Sequence, residues 1–222
     1  MTIEDQRFTA KLRQESEPKW TNAVQHRFVH ELLDGSIHQD VLRRYLIQDH
    51  RFLDSFLALL GAAMAHADTF DARITLGKFV GLVAGGENTY FERAFQELGV
   101  DSERRSSDPD SVPTAGFKAI MIEASKSGSY AAILSVLSVA EWLYMDWASI
   151  APKEMSESLS FVNREWFELH RGAWFEGVVE FLRSELDRVG PANEEICRDY
   201  FSRAVGLELE FFNDAYACID KK

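Results

Sequence analysis

Cysteine is nearly absent. Cys197 and Cys218 are the only two in 222 residues, which excludes a disulfide framework and every multi-cysteine zinc spacing. Positive charge is also short: Lys and Arg total 24 against 36 Asp and Glu, a net charge of −12. Phosphate backbones and anionic lipid surfaces both need clustered Lys and Arg, so neither nucleic acid nor a membrane is expected as a partner. The longest wholly apolar run, Phe56 to Ala65, falls well short of a membrane span. Met1 to Gln14 lacks the apolar stretch of a signal peptide. The expectation is a soluble, cytoplasmic protein. No Asn-Gly or Asp-Gly hairpin turn occurs, and no stretch alternates β-branched with polar residues.

What is present is helical. Five prolines, Pro18, Pro109, Pro113, Pro152 and Pro191, divide the chain into long proline-free segments, and a helix interior rarely tolerates that residue. Ile196, Tyr200, Ala204, Leu207, Phe211 and Ala215 recur at three- and four-residue spacing. Ser129–Ile150 is apolar nearly all round, which predicts a central buried helix. Between Pro18 and Asp108 the pattern predicts three helices, roughly Trp20–Leu33, Gln39–His66 and Phe70–Leu98, and Asp101–Pro113 reads as a polar loop. The expected fold is an all-α, single-domain helical bundle over residues 1–222, with seven or eight helices.

Helical neighbours at i±3 and i±4 sort the acidic residues. Glu168 and Glu180 have charged neighbours at those positions, as solvated acids do. Asp49 instead has Tyr45, Leu46, Phe52 and Leu53; Glu87 has Val83, Ala84, Tyr90 and Phe91; Glu208 has Ala204, Val205, Phe211 and Phe212. Glu141 and Asp146 are nearly as isolated, and His170 sits among Trp166, Phe167, Ala173 and Trp174. A buried carboxylate is costly unless paired, hydrogen-bonded or protonated. For any one of these the structural reading, a helix cap or an internal network, is as good as the functional one. For the set, a polar cavity inside the bundle is the better reading, with carboxyls raised into the range of general acid–base work. Trp142, Tyr144, Trp147, Trp166 and Trp174 crowd the same segments and suit a flat ring ligand. A two-metal site is disfavoured, because none of the six histidines follows a Glu-x-x pattern. Gly85-Gly86 lacks the context of a phosphate loop, and His26 and His30 form a surface or rim pair.

The same residues resemble a family. Tyr45-Leu46-Ile47-Gln48-Asp49-His50-Arg51-Phe52-Leu53 resembles the Y-x-x-Q-D-x-x-[YF]-L signature of the TenA/thiaminase II family. Phe28 with Leu33-Asp34-Gly35-Ser36, then Ser127-Gly128-Ser129-Tyr130, Glu141-Trp142-Leu143-Tyr144, Trp174-Phe175 and Leu207 to Phe212 follow in the family's order from about residue 20 to 216. The resemblance implies a haem-oxygenase-like fold without cofactor or metal, in a homodimer or homotetramer. It implies hydrolysis of thiamin-related aminopyrimidines in thiamin salvage, as an aminopyrimidine aminohydrolase or a formylaminopyrimidine hydrolase. It places ring binding on Asp49, proton donation on Glu208 and a site hydroxyl on Tyr144. The family's better-known branch has a catalytic Cys where this chain has Ala140, whereas a second branch has a Glu where this chain has Glu141. That assigns Glu141 the second catalytic role and argues against true thiaminase activity. Phe52, Phe117 and His170 stand at Tyr positions of the Cys branch and join Glu87 as expected substrate contacts. Two other readings stay open: a metal-dependent oxidase or oxygenase using Asp49, Glu87, Glu141, Asp146 and His170, and a non-enzymatic small-ligand sensor.

Overall fold

In the computed structural model, described over residues 6–107 and 109–219, short polar signals start the helices. Thr69, Ser111, Ser129 and Ser160 each accept a hydrogen bond from a backbone N–H in the first turn of the helix they precede. His26 and His38 do the same through their rings. The helices are α1 (Phe8–Glu15), α2 (Lys19–Val24), α3 (Arg27–Asp34), α4 (Gln39–His66), α5 (Phe70–Leu82), α6 (Asn88–Glu97), α7 (Ser102–Ser107), α8 (Val112–Lys126), α9 (Tyr130–Ala148), α10 (Phe161–Leu169), α11 (Ala173–Val189) and α12 (Glu194–Ala215). No strand occurs among the described residues. The fold is all-α, as expected.

The helix count is higher than the expected seven or eight: among other breaks, two expected helices divide and an expected loop contains a helix. Trp20–Leu33 breaks at His26, whose extended backbone and ring cap start α3. Phe70–Leu98 is one helical run interrupted by a π turn over Val83–Glu87, spanning Gly85-Gly86. The expected loop Asp101–Pro113 contains α7, started by Asp101 Oδ1 accepting from the Arg104 N–H at 2.7 Å, and the first residues of α8. Asp108 and the two ends of the expected 1–222 domain lie outside the described residues.

α9 occupies the centre and packs against α4, α8, α11 and α12. By length and composition it could cross a membrane, but most of it is buried inside the bundle. α4 faces α8 and α12, while α1 and α2 close the far side against α11, α12 and α9. Gln48 pins the segment before α8 to α4: its amide donates to the Pro109 carbonyl at 3.1 Å and its Oε1 accepts from the Ser111 N–H at 2.9 Å.

Candidate active site

Four helices and the π turn each contribute one or more side chains to a single internal cavity. α4 supplies Asp49, Phe52, Leu53 and Phe56, the π turn Glu87, and α9 Ala140, Glu141 and Tyr144. Trp166 and His170 come from the end of α10, and Glu208 from α12. The empty space they enclose is about 340 Å³. Asp49, Phe52 and Phe56 recur at the spacing of one helix face. Ala140, Glu141 and Tyr144 share one face of α9 in the same way. Glu87 reaches the cavity from the last residue of the π turn.

Asp49, Glu141, Tyr144, His170 and Glu208 are buried, and Glu87 is partly so. Among the described residues no Lys or Arg lines the cavity. Burial therefore dominates every titration. It drives Asp49 well above the usual carboxylate range, and the negative charges of Glu87 and Glu208 push it further. Glu141 rises through burial and then the charges of Glu87 and Asp49. Glu208 rises through burial and then the charge of Glu141. Glu87 rises to about 7 through burial alone. Each charge raises its neighbours, so ionising one of these carboxyls disfavours ionising the next.

His170 moves the other way, down to about 4, because burial disfavours the imidazolium. Its Nδ1 lies 2.7 Å from the Trp166 carbonyl oxygen. A carbonyl only accepts, so Nδ1 carries the proton and the neutral ring keeps Nε2 as an acceptor. Asp49 Oδ1 is buried with no hydrogen-bond partner among the described residues. A buried acceptor left open beside a cavity is a place for a ligand's donor. The walls are aromatic: Tyr144, Trp166 and His170 ring centroids lie 4.5 to 4.9 Å apart in neighbouring pairs.

Seven of the eight expected site residues line this cavity. Phe117 does not. It is buried behind Phe52, centroids 5.6 Å apart and planes inclined by 30°, and also meets Phe211. Trp174 is 46% exposed and packs on Phe79, away from the lining. Trp142 instead stacks under the Arg183 guanidinium.

Asp146 belongs to a structural network: Trp20 Nε1 donates to it at 2.9 Å and Arg13 pairs with it at 3.0 Å. That separates it from the other four acids, and with it the ligand set of the metal reading. Among the described residues no three His, Cys, Asp or Glu side chains are grouped to hold a metal ion. Cys197 is buried and Cys218 partly so, and neither lines the cavity.

Sequence reasoning did not assign a site role to Tyr45, whose hydroxyl lies 2.8 Å from that of Tyr144. The signal was available in its position one helical turn before Asp49.

The model of the TENA/THI-4/PQQC family matches residues 13–218. The chain belongs to that family. It is 24% identical over 226 residues to an aminopyrimidine aminohydrolase of Bacillus subtilis, covering 95% of this chain and 90% of the relative. Among solved structures, a TenA family transcription regulator from a Silicibacter species superposes with a TM-score of 0.83 at 19% identity, over 97% of this chain and 99% of the other. A domain of unknown function with a heme oxygenase-like fold from Shewanella denitrificans superposes with a TM-score of 0.71 at 17% identity, over 96% and 93%. This TenA-family chain therefore has the haem-oxygenase-like fold expected from its motifs.

Proposed function

We propose that this chain is a C–N hydrolase of thiamin-related aminopyrimidines, and that the cavity around Asp49 is its active site. The observation that carries the reading is the unpartnered Asp49 Oδ1 facing the same aromatic-walled cavity as Glu141 and Glu208. An aminopyrimidine offers an exocyclic N–H₂ donor beside a basic ring nitrogen. A carboxyl group holds both edges at once, accepting from the amine and bonding the ring nitrogen. Tyr144, Trp166 and His170 flank a flat ring. Phe52 turns an apolar face to it, with Phe117 as backing. Similarity to an aminopyrimidine aminohydrolase supports the substrate class.

In this reading Glu141, ionised, takes a proton from water as the water oxygen attacks the exocyclic methylene carbon. The bond from that carbon to the amine nitrogen breaks. Glu208, kept protonated by its apolar surroundings, gives its proton to the departing nitrogen. The products are the hydroxymethyl pyrimidine and the amine, and the transferred protons balance once Glu141 returns its own to Glu208 through solvent. Two carboxyls with separated affinities for a proton serve this division of labour. Ala140 occupies the wall where a cysteine nucleophile would stand, so water is the attacking group.

Incubation with aminomethyl- and formylaminomethyl-pyrimidines, followed by chromatography for the hydroxymethyl product, tests the reading. Turnover of either in ¹⁸O-water with label in the new hydroxyl is the expected result. Folded protein that converts neither compound overturns it.

A further inference from the structure

We infer that Tyr45 is a positioning residue, which aims the hydroxyl proton of Tyr144 into the cavity. The inference rests on reading the cavity as the reaction site.

Tyr45 is 1% exposed and does not line the cavity. Its ring is clamped by Phe28, Phe211 and Trp166 at centroid distances of 4.2, 5.3 and 6.1 Å. Its hydroxyl lies 2.8 Å from that of Tyr144, and the other polar group beside it, the Trp166 indole N–H, can only donate. Each tyrosine owns a single proton. If Tyr144 donated to Tyr45, the proton of Tyr45 would be buried with no acceptor, an unfavourable outcome. If Tyr45 donates, its proton is satisfied and that of Tyr144 is released. Tyr144 lines the cavity, where the acceptors are: Asp49 Oδ1 is without a partner, and Glu141 and Glu208 share the wall. The direction of the bond is therefore set from behind, by a residue that no ligand touches.

The consequence is electrostatic. A proton delivered by Tyr144 favours the ionised form of the carboxyl that receives it. The titratable groups facing it are Asp49 from α4, Glu87 from the π turn, Glu141 from α9, His170 at the end of α10 and Glu208 from α12. Without Tyr45, the Tyr144 hydroxyl is free to turn toward the space left behind, and that stabilisation is lost.

Tyr45→Phe keeps the ring and removes only the hydroxyl. We expect kcat to fall about three- to tenfold, the worth of one neutral hydrogen bond, with KM little changed. The acidic limb of the pH profile should move upward by about half a unit or more. Incorporation of 3-fluorotyrosine at position 45, a stronger donor of the same shape, should move that limb downward. In a Tyr144→Phe background, Tyr45→Phe should cost nothing further. Equal losses in both backgrounds, or an unmoved pH profile in both variants, would overturn the inference in favour of simple packing. A readout independent of turnover is the ¹³Cζ resonance of Tyr144, which should shift on Tyr45→Phe; an unchanged resonance also overturns it. If the parent protein converts no pyrimidine, the proposed function falls, while the resonance still decides the role of Tyr45.

Discussion

On the outer faces of the bundle many acids are held by arginine. Arg7 bonds Glu180 and Asp187, Arg198 bonds Glu15 and Glu194, and Arg203 bonds Glu123 and Asp199. Around the cavity, Asp49, Glu87, Glu141 and Glu208 share a lining with no Lys or Arg among the described residues. The two regions titrate in opposite directions. Hydrogen bonds from arginine lower Glu15 and Glu123 below the usual carboxylate range, whereas burial raises all four cavity acids. Asp146 lies between these cases: burial raises it, but Arg13 and the Trp20 indole pull it back. Burial alone does not mark a working carboxyl. Burial without a cation or a full set of donors leaves valence open to a ligand, and on that ground the cavity acids are proposed as the working ones.

The largest test of this contrast is Glu208→Gln. The amide keeps the shape and cannot give up the proton, so turnover should fall ~10²- to 10⁴-fold while ligand binding persists. Thermal stability should hold or rise, since the burial cost of a carboxyl is removed. An unchanged rate would place Glu208 with the structural acids. Asp49→Asn comes next. It replaces an acceptor that can carry charge with an amide, and affinity for an aminopyrimidine should fall about tenfold to a hundredfold, measured by calorimetry. Retained affinity would mean that the open Oδ1 faces no ligand donor.

The pH dependence of stability separates the regions more finely. An acid whose folded pKa is raised destabilises the folded state once the unfolded state ionises. Glu87 rises from 4.5 to about 7. Its contribution is therefore nil below the lower value, worsens as pH climbs between the two, and is constant above. Denaturant titrations should show Glu87→Gln gaining on the parent across that window, by on the order of 1–3 kcal/mol. A parallel pair of curves would contradict the assignment. The smallest effect belongs to the outer face: Glu123→Gln removes an exposed pair with Arg203 and should cost under about 1 kcal/mol, less in added salt. Its lowered pKa gives the opposite sign, with stability lost as pH falls.

Much of the site was legible along the chain because a helix fixes its own neighbours. The i±3 and i±4 positions of Asp49, Glu141 and Glu208 are local properties, and each of these acids proved buried. Glu168 and Glu180, with charged neighbours, proved exposed. Asp146 passed the same test yet serves structure, because its partners stand on α1 and α2, more than a hundred positions away. Phe117 was expected at the ring and stands one layer behind, since its depth depends on where α8 meets α4 and α12. The π turn was invisible to a periodicity of 3.6, and it delivers Glu87.

The sequence alone determined that this chain is helical, which helix lies at the centre and which acids lack a local partner. These follow from interactions within a turn or two of one helix, where spacing translates directly into proximity. Tertiary structure decided which acids share a cavity, which acquire an arginine, and that Tyr45 backs Tyr144. Those outcomes depend on the angle and depth at which α4, α9, α10 and α12 pack. Such packing is set by the summed fit of side chains from across the whole chain, and no local pattern contains it.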